Sequence, residues 1–137
     1  MAIFDIAYAR TADFEGGYDN DPLDTGGETY YGISRKAHPN WDGWKLIDEQ
    51  KKKSGFPDNL KLIRSQLIAS EKKLYKTQYW DKVWGDRIKN QTVANDMYDT
   101  AVNMGWPVSI KLSERQFKIK ETGSMSELLL TKLNSVI

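Results

Sequence analysis

The chain has 137 residues, 39% of them hydrophobic, 12% aromatic and 28% charged, with 20 basic against 19 acidic side chains and a net charge of +1. That length and balance predict one soluble globular unit, give no global pull toward nucleic acid or membrane insertion, and hold no run near the roughly 18 apolar residues of a membrane span. The absence of cysteine excludes disulfides, thiol nucleophiles and thiolate metal sites, and a single histidine, His38, excludes zinc sites built on several imidazoles.

Ile3, Ile6, Ala7, Tyr8 and Phe14 recur at roughly helical spacing and predict a first helix over 2–15, stopped by Gly16 and Gly17, with Glu15 at its end. From Tyr18 to Ile33, Asp21-Pro22 and Asp24-Thr25-Gly26-Gly27 predict turns with a short hairpin. Gly16, Gly17, Gly26, Gly27 and Gly32, five of the chain's ten glycines, fall in this stretch and imply turns or close backbone approaches that side chains would block. Ser34 is expected to cap a short helix ending near Pro39, and His38 to be a surface loop residue. A helix over 44–53 follows, closed by Gly55 and Pro57, with Lys51, Lys52 and Lys53 as a solvated face.

Asp58 is expected to cap the central helix, with Leu60, Ile63, Leu67 and Leu74 on one stripe and Ile68, Tyr75 and Tyr79 beside it. Thr92 is expected to cap another, with Val93, Met97, Ala101 and Met104 inward and Asp96, Asp99 and Asn103 on the other face, before Gly105 and Pro107 stop it. Past Pro107 the pattern predicts about three turns of helix, a stop near Gly123, and a last helix opened by Ser124 with Glu127 as its capping box. Leu128, Leu129 and Leu133 are its expected buried side. The fold class read from these elements is mainly α, with a glycine-rich loop or hairpin after the first helix.

Hydrolysing a glycosidic bond needs a proton donor for the leaving oxygen and a second group to activate water or to capture the positive centre. Glu15 is the candidate donor, because apolar Phe14 and Tyr18 flank it and both partial burial and a helix C-terminus would raise its pKa. Asp24 and Thr29 follow in or beside the turn and suit the holding of an attacking water; Asp19 and Asp21 compete with Asp24 for that role. Inversion follows if a water fits between the carboxylates, retention if Asp24 reaches the sugar itself. Tyr18 and Tyr31 are candidate stacking surfaces for a sugar ring, and Asp99 and Asn103, one helical turn apart, candidate hydrogen-bonding partners for hydroxyl or N-acetyl groups. This chemistry requires no metal and no organic cofactor.

Glu15-Gly16-Gly17-Tyr18, followed by Asp24-x-Gly26-Gly27-x-Thr29-x-x-Gly32-Ile33, resembles the motif of glycoside hydrolase family 108. Tyr79-Trp80 with Gly85-Asp86, and Asp99-x-x-x-Asn103-x-Gly105, resemble later blocks of the same family. The resemblance implies a lysozyme-like helical domain over 1–106, an N-acetylmuramidase activity on peptidoglycan glycan strands, and the catalytic role for Glu15. The Glu, Asp, Thr order is also similar to the triad of phage-type lysozymes, with an Asp-to-Thr interval one residue different. Residues 107–137 resemble a peptidoglycan-binding region through Gln116, Gly123 and Ser126, without its Asp-Gly turn, and are expected to pack onto the main unit.

Members of the family often carry the label of secretion activator, and a small muramidase of this kind resembles both phage endolysins and enzymes that open the wall for an export machine. The opening ten residues lack a basic head and a long apolar run. The expectation is therefore synthesis in the bacterial cytoplasm, action at the wall or periplasm, and a holin-type pore or export machinery for access. A non-catalytic wall-binding or secretion-apparatus scaffold and a lytic transglycosylase are the alternative functions.

Overall fold

The structure, a computed structural model, describes residues 1–12, 17–23 and 27–136. Its elements are α1 (Phe4–Thr11), β1 (Tyr18–Asp19), β2 (Thr29–Tyr30), β3 (Ile33–Ser34), α2 (Gly43–Lys51), α3 (Arg64–Tyr75), α4 (Gln91–Met104), α5 (Trp106–Gln116) and α6 (Glu127–Asn134). The fold is mainly α, with short strands following the first helix. Two compact units make it up, one of Met1–Ala12 with Leu74–Ile137 and one of Asp13–Lys73. Among the described residues no helix is long and apolar enough to cross a membrane.

In the first unit, α4 buries Ala94, Met97, Tyr98 and Ala101, an i, i+3, i+4, i+7 stripe on which α1 and α5 pack. Val93 and Met104, expected inward, flank that stripe instead, and Met104 is 60% exposed. The cap is Asn90 rather than Thr92, its side chain accepting the Val93 N–H at 3.1 Å, because an N-cap oxygen must reach the amide three residues on. Helix α1 ends at Thr11 with Ala12 as its C-cap, three residues before Glu15, so its terminus is not where the glycine pair implied.

The helix expected over Asp58 to Tyr79 is broken into a 3-10 stretch (Asp58–Ile63), α3, a π turn (Lys76–Trp80) and a further 3-10 turn (Asp81–Val83). At the end of the π turn Trp80 is fully buried, its ring 5.7 Å from Phe4 and 5.9 Å from Tyr98, and its indole N–H donates to Asp86 at 2.8 Å. Its ring lies so close to Gly85 that an added Cβ would come within 2.2 Å. The Trp80, Gly85 and Asp86 pattern is thus one packing unit. Gly85→Ala should destabilise the fold by about 1–3 kcal/mol through overpacking, read as a lower urea midpoint; an unchanged midpoint would contradict this contact.

At the other end of this unit the cap of α6 is Ser126, which accepts the Leu129 N–H at 3.1 Å, and not Ser124. Glu127 makes a bidentate pair with Arg87 (2.8 and 2.9 Å) instead of closing a capping box. The later start turns Leu130 inward with Leu129 and Leu133 and leaves Leu128 56% exposed. Glu114 of α5, only 2% exposed, accepts the Thr122 and Gly123 N–H groups and the Thr122 hydroxyl, each at 2.8 Å. Those bonds tie down the turn before α6. Burial pushes the Glu114 pKa up, and the Gly123 and Thr122 bonds outweigh it, so the pKa lies below its ordinary value.

A depressed carboxyl stabilises the fold above the unfolded value of about 4.3 and loses that contribution as pH falls through the folded value. Glu114→Ala should therefore lower stability near neutral pH by about 2–3 kcal/mol, since it strands buried N–H groups. The difference from the parent should shrink on acidification. Urea unfolding at pH 7 and pH 3 checks both statements, and an equal loss at the two pH values would refute the second.

In the second unit β1, β2 and β3 form an antiparallel sheet with Tyr18 opposite Tyr30, Asp19 opposite Thr29, Thr29 opposite Ser34 and Tyr30 opposite Ile33. Ser34, expected as a helix cap, ends β3. Its hydroxyl still accepts the Ala37 N–H (3.3 Å) and its carbonyl the His38 N–H (2.8 Å), but Pro39 follows and only one turn forms. His38 is half-buried, burial pushes its imidazole pKa down, and its carbonyl accepts the Trp44 indole N–H at 2.8 Å. Tyr30, Ile33, Trp41, Trp44, Ile47, Leu60 and Leu67 make the core here.

Candidate active site

Strand alternation puts Tyr18 and Tyr30, directly opposed, on one face of the sheet, and Asp19, Thr29 and Ser34 on the other. Tyr30 is buried, while Tyr31 turns the chain into β3 with a left-handed φ of 44°. The Tyr31 N–H donates to the Gly17 carbonyl at 2.9 Å. A Cβ on Gly17 would stand 3.4 Å from the Tyr31 ring, and Gly17 itself has φ 55°. The glycine therefore serves both a backbone shape and a close approach.

Tyr18, Tyr30 and Tyr31 line a groove of about 470 Å³ with Asp58, Lys61 and Arg64, a size typical of small-ligand sites. Arg64 donates to the Tyr30 hydroxyl at 3.0 Å and to Glu71 at 2.9 Å, and its guanidinium lies 3.8 Å from the centre of the Tyr31 ring. Glu71 is 1% exposed. The Arg64 guanidinium is desolvated, yet the Glu71 bond and charge hold its pKa above the ordinary arginine value. This Tyr–Arg–Glu stack fixes one wall of the groove.

A second network fixes the other. Tyr18 donates its hydroxyl to Glu28 at 2.6 Å, and Glu28 also accepts from Arg35 (2.9 Å) and pairs with Lys51. Arg35 forms a bidentate pair with Asp48 (2.8 and 2.8 Å). Burial raises the Glu28 pKa, but the Lys51, Tyr18 and Arg35 bonds bring it below the usual value; the Arg35 bonds take Asp48 down to about 2. Burial and Glu28 together push the Tyr18 phenol up. Lys51 thus belongs to the hairpin's ionic support, not to a purely solvated lysine face.

Of the residues singled out in the sequence, Glu15 and Asp24 lie outside the described residues. Tyr18 and Tyr31 come together in the groove, and Thr29 faces away from Tyr18 on the opposite side of the sheet. Asp19 stands across from Thr29, and Asp21 accepts the Leu23 N–H at 2.9 Å, a turn-forming bond. Asp99 and Asn103 are exposed on α4: Asp99 accepts the Thr11 hydroxyl at 2.9 Å, and Asn103 donates to the Asp99 carbonyl at 2.9 Å. Asp99 therefore pins the end of α1. The Glu28, Asp48, Arg64 and Glu71 contributions went unread in the sequence; Glu28, inside the glycine-rich motif, was the one with a signal.

Fold and hairpin together define a mainly α, lysozyme-like protein. The chain belongs to glycosyl hydrolase family 108: the family described as Glycosyl hydrolase 108 matches residues 8–105. Among solved structures it is similar in fold to SagA of Brucella abortus, with 23% identity and a TM-score of 0.68 over 98% of this chain and 70% of that one. No curated protein matches the sequence. Family membership makes it a glycoside hydrolase, of a family whose substrate is peptidoglycan in general terms.

Proposed function

We propose that the chain is an N-acetylmuramidase that hydrolyses the glycosidic bond after N-acetylmuramic acid, with Glu15 as general acid. The observation that carries this is the spaced Glu15, Asp24, Thr29 motif, which falls wholly inside the matched span of residues 8–105. In the step, the bond from the anomeric carbon to the leaving oxygen breaks and that oxygen takes the Glu15 proton. Water adds to the anomeric carbon and gives its proton to Asp24, with Thr29 holding the water. The tyrosine groove binds the glycan strand. Tyr18 and Tyr31 are its stacking surfaces, and Asp99 and Asn103 contact hydroxyl or N-acetyl groups.

In this reading residues 1–106 carry the reaction, and 107–137 complete the helical packing through α5 on α4. The enzyme is made in the cytoplasm, acts at the wall or periplasm, and reaches it through a holin-type pore or an export machine. Mass spectrometry of digested peptidoglycan tests the chemistry, with muropeptides bearing reducing muramic ends as the expected products. Anhydro ends would replace the reading by a transglycosylase, and wall binding without release by a scaffold.

A further inference from the structure

We infer that the hairpin groove reads a carboxylate on the glycan, with Lys61 as the residue that recognises it. The identity of the glycan rests on the muramidase reading; the charge preference does not. The cations of the second unit that touch the sheet are already committed: Arg35 to Glu28 and Asp48, Lys51 to Glu28 and Asp48, Arg64 to Glu71 and the Tyr30 hydroxyl. Lys61 is exposed at the groove, and no ion pair among the described residues includes it. A lysine ammonium with its three donors and no internal partner is a point charge for an incoming anion.

The rest of the lining says what kind of anion. Tyr18, Tyr30 and Tyr31 offer aromatic surface suited to the apolar face of a pyranose ring. Asp58 lies three residues before Lys61 in the same 3-10 stretch and lines the same groove. It too is without an ion pair among the described residues. A carboxylate there accepts hydroxyl or amide N–H groups. Aromatic surface, a carboxylate acceptor and the lysine ammonium together fit an acidic N-acylated sugar. The carboxylate has two sources in peptidoglycan, the lactyl group of a peptide-free muramic acid or the stem peptide.

The test is binding of disaccharides, titrated calorimetrically or by NMR against the full chain. Three probes are used: N-acetylglucosaminyl-N-acetylmuramic acid, the same disaccharide with its stem peptide, and neutral diacetylchitobiose. The parent should bind at least one acidic probe about fivefold more tightly than the neutral one, the scale of a solvent-exposed charge pair, and the advantage should shrink in high salt. Lys61→Gln should erase the preference, and Lys61→Arg should keep it. The acidic probe that carries the difference identifies the source. Equal binding of all three probes by the parent, or a preference that survives Lys61→Gln, would overturn the inference. Loss of this preference in an enzyme that still releases reducing ends sinks the inference alone; its presence in a chain that cleaves no wall sinks the muramidase reading alone.

Discussion

Glu15→Gln should lower the release of reducing ends from purified peptidoglycan by about 10²–10⁴-fold, the range over which a positioned general acid acts. The exchange keeps the volume and one hydrogen-bonding oxygen of the side chain but removes the transferable proton, so it isolates chemistry from packing. The drop should fall on kcat, with KM little altered, because the proton moves only in the transition state. The parent rate should decline toward alkaline pH as the donor loses its proton, and the residual rate of the variant should lack that limb. Thermal unfolding of both proteins controls for the fold. Parent-like release from a folded Glu15→Gln protein would remove Glu15 from the mechanism, whatever the family match.

The sequence was informative where a pattern is local and repeated. The stripe of α4, the glycine stop at Gly105 and the late helix of the chain were all readable, because each depends on spacing of 3.6 residues or on a residue with a special backbone range. Caps were misplaced by two residues at Asn90 and Ser126, since each stretch offers two polar candidates and only the reach to the third amide decides. The break of the central helix into 3-10, α and π stretches has no compositional mark; it is set by what Leu60, Leu67 and Trp80 pack against.

The site divided in the same way. Tyr18 and Tyr31, read together because they flank the motif, line one groove, whereas Arg64 and Glu71 sit far along the chain in an otherwise ordinary helical pattern. Their meeting with Tyr30, 34 residues before Arg64, is a long-range contact that no local window contains. The face on which Thr29 lies follows from a register, and two-residue strands carry too few alternations to announce it.

Arg64→Ala should lower the stability of the fold by about 1–3 kcal/mol, because it removes the half-buried partner of a buried carboxylate and leaves that charge in place. Glu71 is 1% exposed and takes its bond from Arg64 at 2.9 Å, so losing the guanidinium strips a buried carboxylate of a charged donor. Glu71 has further contacts, which puts the expected loss at the low end of that range. The same change uncovers the Tyr31 ring and strips the Tyr30 hydroxyl of its donor. The double exchange Arg64→Met with Glu71→Leu should recover much of the loss, since a buried pair replaced by apolar side chains of similar volume often approaches neutrality. Urea unfolding of the parent, the single variants and the double variant gives the coupling energy directly. A loss under about 0.5 kcal/mol for Arg64→Ala, the scale of an ordinary surface substitution, would show that the pair does not hold the groove wall. If it does hold it, the double variant should fold well and yet bind the acidic disaccharides more weakly than the parent, because apolar packing restores the core without restoring the guanidinium that orders Tyr30 and Tyr31.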